Sequence, residues 1–101
     1  MSIGDIDIKL DYPIKDTIEI YNVIVVLMDP PSEIVENRNV VAFNKDGSYN
    51  WRIERSTDID RNNPYMKINI HSGDLIVETW DGMRYNIDIE TGEILSGNLR
   101  K

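Results

Sequence analysis

Chemistry in a chain this short must start from side chains able to carry a proton, a metal or a nucleophile, and few here stand at suitable spacings. The single histidine, His71, sits beside Ser72-Gly73. It could serve as a general base or a metal ligand, but a lone histidine at a hairpin tip reads as a solvated turn residue. The run Asp58-Ile59-Asp60-Arg61-Asn62 imitates the opening of a calcium loop. Asn63 stands where the turn glycine belongs and Asn69 where the bidentate glutamate belongs, so calcium binding is not expected. The sequence has no G-x-S-x-G, no phosphate-cradling glycine loop and no H-E-x-x-H. With no cysteine, disulfide frameworks, thiolate zinc sites and thiol nucleophiles drop out as well. Catalysis would rest on carboxylates alone, and among 18 acidic residues some pair falls together by chance. The expectation is a protein that is not an enzyme and uses no cofactor and no metal.

The elements that position these residues are bounded by composition. A chain of 101 residues, 41% hydrophobic and 29% charged, is expected to fold unaided as one domain over residues 1–101. Its net charge of −7 gathers at Asp5, Asp7, Asp11, Asp16 and Glu19, and again at Asp29, Glu33 and Glu36. Such a surface repels phosphate backbones and attracts basic partners, so neither nucleic acid nor an anionic membrane is an expected ligand. The longest apolar run, Val23-Ile24-Val25-Val26-Leu27-Met28, is too short for a hydrocarbon layer that takes about 20 residues. No secretory leader is read at Met1-Ser2-Ile3-Gly4-Asp5, and the expected location is cytoplasmic.

Alternation with period two recurs along the chain, and no stretch has helical spacing. Ile6, Ile8 and Leu10 predict a half-buried first strand that ends at Tyr12-Pro13. Residues 18–28 predict a second strand, central in its sheet because its later half is apolar on both faces. Asp29-Pro30-Pro31-Ser32 stops it. Four turns follow, and each loop length is chosen so that apolar residues oppose one another. Asp46-Gly47 with a three-residue loop sets Phe43 against Tyr49 and Val41 against Trp51. Ser72-Gly73 with two residues sets Ile70 against Leu75, Ile68 against Val77, Met66 against Thr79 and Lys67 against Glu78. Trp80-Asp81-Gly82 sets Val77 against Tyr85, Leu75 against Ile87 and Glu78 against Arg84. Glu90-Thr91-Gly92 returns the chain with Leu95 beside Ile87. The expected fold is an all-β antiparallel meander of seven to eight strands, curved into a small barrel or a two-layer sandwich.

Val40-Val41-Ala42-Phe43-Asn44-Lys45-Asp46-Gly47-Ser48-Tyr49-Asn50-Trp51 resembles the strand, Asp-Gly turn, strand and tryptophan of quinoprotein-type β-propeller blades. Tyr85-Asn86-Ile87-Asp88-Ile89-Glu90-Thr91-Gly92-Glu93-Ile94-Leu95 is similar to the Asp-x-x-Thr-Gly-x-x-Leu run of the same repeat. Taken whole, the chain looks like small uncharacterised bacterial proteins that carry such blade-like hairpins. The resemblance covers roughly a third of the chain and implies shape, with no quinone binding and no activity.

These registers also define a second face, carrying Tyr65, Lys67, Asn69, Ile76, Glu78, Trp80, Arg84, Asn86 and Asp88. Tyr65 and Trp80 are expected directly across from each other beside the charged row Lys67-Glu78-Arg84. Tyrosine, tryptophan and arginine dominate the energetic centres of interfaces, so Tyr65, Lys67, Ile76, Glu78, Trp80 and Arg84 form the expected partner-binding site. The opposing expectation is that the N-terminal strands cover this face and bury Tyr65, Ile76 and Trp80. The functional reading is a non-enzymatic interaction module for a protein partner, with a basic partner favoured by charge. An immunity or inhibitor protein that blocks a basic toxin would suit that composition. The alternatives are a small-molecule binder or carboxylate hydrolase near Glu78, Asp88 and His71, and a homodimer built on the aromatic face.

Overall fold

Period-two alternation gives strands throughout: the structure, a computed structural model, describes residues 1–3, 5–56 and 61–99, and contains no helix among them. Strands β1 (Ser2–Ile3) and β2 (Ile6–Asp7) make a short hairpin. Strands β3 (Ile14–Ile20), β4 (Val23–Met28), β5 (Val40–Asn44) and β6 (Tyr49–Arg52) form a four-stranded sheet. Strands β7 (Tyr65–His71), β8 (Asp74–Thr79), β9 (Met83–Ile87) and β10 (Ile94–Leu99) form another. The pairings are antiparallel, each strand lies beside its neighbour in the chain, and none of the three sheets closes into a barrel.

Strand β4 explains the layering. Its six apolar residues are flanked by β3 on one side and β5 on the other, so they must be covered on both faces. Val25 and Leu27 point into the main core, where Ala42 and Trp51 of the first sheet and Ile53 just beyond β6 meet Tyr65, Ile68, Leu75, Val77 and Ile87 of the second. Val26 and Met28 point the other way and join Val41, Phe43 and Ile3 in a second core. Met1, Ile8, Leu10 and Tyr12 pack against that second core. The N-terminal segment therefore covers the back of the first sheet, not the Ile76 and Trp80 region. Ile3 is buried there and Met1, Ile8, Leu10 and Tyr12 are partly buried. Full burial of one aliphatic side chain contributes about 1.5–3 kcal/mol and partial burial less, and their sum holds this segment in place without a long ladder.

Where registers were read from turn chemistry, the central pairs agree. Leu75 opposes Ile87, Val77 opposes Tyr85 and Glu78 opposes Arg84. Ile70 opposes Leu75, Ile68 opposes Val77 and Lys67 opposes Glu78. The departures have one cause, an extra residue in an edge strand. Asn50 is the extra residue in β6, so Phe43 meets Tyr49 but Trp51 meets Ala42, and Val41 meets Arg52. Met66 is the extra residue in β7, so Thr79 meets Tyr65. Leu95 is the extra residue in β10, so Ile94 takes the place beside Ile87. Lys15 is the extra residue in β3. Each bulge reverses which side chains face inward beyond it. The expected strand over 18–28 is also two strands, because the chain turns at Tyr21-Asn22 with Tyr21 at φ 54. That turn is anchored where the Tyr21 hydroxyl donates to the Gly73 carbonyl at 3.0 Å, joining the tips of the β3–β4 and β7–β8 hairpins.

Candidate functional site

All four prolines of the chain, Pro13, Pro30, Pro31 and Pro64, line one groove. The reason is local. Proline cannot donate to a ladder, so Pro13 precedes β3, Pro30-Pro31 follow β4 and Pro64 precedes β7, and these strand ends meet at one end of the molecule. Their carbonyls remain useful: Pro13 accepts from the Asp29 N–H at 2.8 Å, Pro31 from Ile34 at 3.0 Å and Pro64 from Trp80 at 2.9 Å. The groove encloses about 640 Å³ and is completed by Met28, Met66, Trp80 and the charged pair Lys15 and Asp29.

Trp80 stands at the rim with 69% of its surface exposed. The turn that carries it is pinned. The Thr79 hydroxyl donates to Asp81 Oδ1 at 2.5 Å and accepts from the Met83 N–H at 3.1 Å. The Asp81 N–H donates to Asn63 Oδ1 at 3.1 Å, and Arg61 pairs with Asp81 Oδ2 at 3.0 Å. The Thr79 hydroxyl, and more weakly the Arg61 guanidinium, hold the Asp81 carboxyl below its ordinary range. A large exposed aromatic on a fixed turn loses little freedom when something docks on it.

The floor of the groove rests on buried asparagines. Asn39 Nδ2 donates to the carbonyls of Met28 at 3.0 Å and Tyr65 at 2.7 Å, while its Oδ1 accepts from the Tyr65 N–H at 2.9 Å. Asn37 repeats the clasp two residues earlier, donating to the Arg61 carbonyl at 2.6 Å and accepting from the Asn63 N–H at 2.7 Å. Side-chain amides thus stand in for a strand between β5 and the start of β7. The signal was the Asn37-Arg38-Asn39 alternation, which composition alone does not mark as structural.

The expected partner-binding residues divide. Lys67, Glu78 and Arg84 lie in one row across β7, β8 and β9, with Lys67 and Arg84 exposed. Trp80 is exposed, as the binding reading requires. Tyr65 is not its neighbour on that face. The Met66 bulge turns Tyr65 into the core with 1% exposed, where its hydroxyl donates to the Glu54 carbonyl at 2.6 Å and burial pushes its pKa up. Ile76 is also buried. The structure therefore puts Trp80 with the prolines and methionines, while Lys67 and Glu78 of the charged row line an adjoining hollow and Arg84 lines neither.

The other candidate chemistry does not converge. His71 is exposed at the end of β7 opposite Asp74. Glu78 stands four residues further along β8, about 13 Å away at a strand's rise, so His71, Glu78 and Asp88 share no mouth. Among the described residues no group of three His, Asp or Glu side chains could hold a metal ion. Asp58, Ile59 and Asp60 of the calcium-like run lie outside the described residues. No helix among the described residues is long and apolar enough to cross a membrane.

No curated protein matches the chain. A family described as "Domain of unknown function (DUF7957)" matches residues 1–99, and with nearly the whole sequence covered the chain belongs to that family.

Proposed function

We propose that the chain is a non-enzymatic protein-interaction module, a two-layer β-sandwich that captures an apolar segment of a basic partner in the groove beneath Trp80. The observation that carries this is Trp80 itself, exposed on a pinned turn beside a 640 Å³ groove lined by prolines and methionines. A soluble fold gains nothing from leaving its largest side chain in water, whereas a rigid aromatic beside an apolar hollow is the composition of an interface centre. The net charge of −7 favours cationic residues flanking the docked segment.

The test is selection from a displayed library of random dodecapeptides with lysine or arginine at both ends, followed by binding to Trp80→Ala. The expected result is a set of binders that Trp80→Ala weakens by about 2 kcal/mol or more, roughly thirtyfold. The same variant should keep its stability within about 0.5 kcal/mol, because the ring is mostly outside the core. A library that yields no binder dependent on Trp80 overturns the reading.

A further inference from the structure

Resting on that reading, we propose that the captured segment docks in extended form, as a partial strand wedged into the mouth between the free edges of β3 and β7. These two strands end their respective sheets, and no ladder joins them. At one end they are held together through the Tyr21 hydroxyl and the Gly73 carbonyl. At the other end they part around the Trp80 groove, whose walls include Pro13 and Lys15 from one side and Pro64 and Met66 from the other.

The groove does not stop at the prolines. A second hollow of about 300 Å³ adjoins it along the seam, lined among others by Lys15, Asp16, Met66, Lys67 and Glu78. The two hollows share Lys15 and Met66. Those are the two bulged residues, one in each edge strand, that stand outside the pairing register. A bulge twists an edge away from regular pairing, and here both edges are bulged at the point where they face one opening. Together they keep β3 from pairing with β7 and leave a wedge between them.

The wedge offers backbone as well as apolar surface. The Thr17 N–H, one residue beyond the seam-lining Asp16, is accepted at 2.9 Å by Asp16 Oδ1, an exposed carboxylate of its own strand. A donor satisfied in that way points away from β4 and can be taken over by a peptide carbonyl. Only a polypeptide can use an edge donor and the proline hollow together: its backbone meets the edge, and alternate side chains enter the hollow. The lining of the two hollows carries Lys15 and Lys67 against Asp16, Asp29 and Glu78, so a cationic flank on the segment meets a net negative wall.

The experiment uses the tightest Trp80-dependent dodecapeptide and a set of copies each N-methylated at one backbone nitrogen. Strand docking predicts that methylation at alternate positions weakens binding tenfold or more while the intervening positions have little effect. Thr17→Pro, which removes the edge donor and no β3–β4 ladder bond, is expected to weaken binding by a similar factor while Trp80 remains required. If no methylated copy binds less tightly and Thr17→Pro binds as wild type, docking by side chains alone is the answer and the strand mode is overturned, with the interaction reading intact. If no Trp80-dependent peptide exists, both fall.

Discussion

Two glycines separate what the backbone demands from what packing demands. Gly82 and Gly92 both have φ near +90 or +78, in the left-handed region, and each ends a tight turn. An added Cβ at Gly82 would meet nothing within 4 Å, whereas at Gly92 it would lie 2.6 Å from the Trp51 ring. Gly82→Ala is therefore expected to cost only backbone strain, about 1–2 kcal/mol. Gly92→Ala adds the displacement of a core tryptophan and is expected to cost about 2–5 kcal/mol, read from urea midpoints. The tryptophans themselves give a second residue-scale expectation. Trp51 is 4% exposed and donates its indole N–H to the Ile89 carbonyl at 2.7 Å. Iodide should quench the Trp51→Phe variant, which keeps Trp80, and leave the Trp80→Phe variant shielded; equal quenching of both would contradict the exposed rim. Asp81 adds a pH dependence whose sign follows from its lowered pKa. Its stabilisation of the Trp80 turn is present above the ordinary carboxylate value of about 3.9 and is lost as pH falls through the lower folded value. Wild type should thus exceed Asp81→Asn in stability at neutral pH, and the gap should close in acid.

At the scale of elements, the join between the two sheets depends on amide side chains as much as on apolar packing. Asn39→Ala would leave the Tyr65 N–H and carbonyl without the partner they have in a buried site. Each such group costs about 1–3 kcal/mol, so a loss near 3 kcal/mol is expected from thermal or urea unfolding. A smaller loss would mean that water replaces the clasp. The strands that alternate cleanly and the turns with glycine were legible from sequence, because both follow from period and from left-handed turn positions. That is why the β7–β8 and β8–β9 central registers could be read. The bulges at Lys15, Asn50, Met66 and Leu95 were not, since an extra residue leaves turn and composition unchanged and is decided by what lies across the core. Tyr65 shows the consequence. Sequence parity puts it beside Trp80, but one bulge and the Asn39 clasp draw it inward. Of the residues expected at the site, Trp80 and Tyr65 line the groove, Tyr65 with its side chain in the core, and Lys67 and Glu78 line the adjoining hollow. The groove itself was not legible, although Pro13, Pro30, Pro31 and Pro64 each abut a strand end, because the meeting of those ends is a tertiary fact.

On the proposed reading, charge acts at the scale of the whole molecule and separates how a partner would arrive from how it would stay. The net charge is −7 on a body of 39 × 34 × 19 Å. At about 0.01 M salt the Debye length of about 30 Å spans most of that body, so an approaching cationic segment feels the summed field. At about 0.1 M it shrinks to about 10 Å, and only carboxylates near the groove still act. The docked state differs, because its energy is expected to reside in the apolar hollow and the Trp80 ring, which salt screens little. Raising salt over that range should therefore slow association of a Trp80-dependent, cation-flanked peptide by roughly tenfold or more while its dissociation rate changes little. Trp80→Ala should do the converse, speeding dissociation while leaving association and its salt dependence near wild type. Stopped-flow association and dissociation rates at several salt concentrations resolve the two. If salt acts instead on dissociation, the bound state is held by ion pairs, and the charged row Lys67, Glu78 and Arg84, of which Lys67 and Glu78 line the hollow beside the groove, would carry the binding energy in place of the prolines and Trp80.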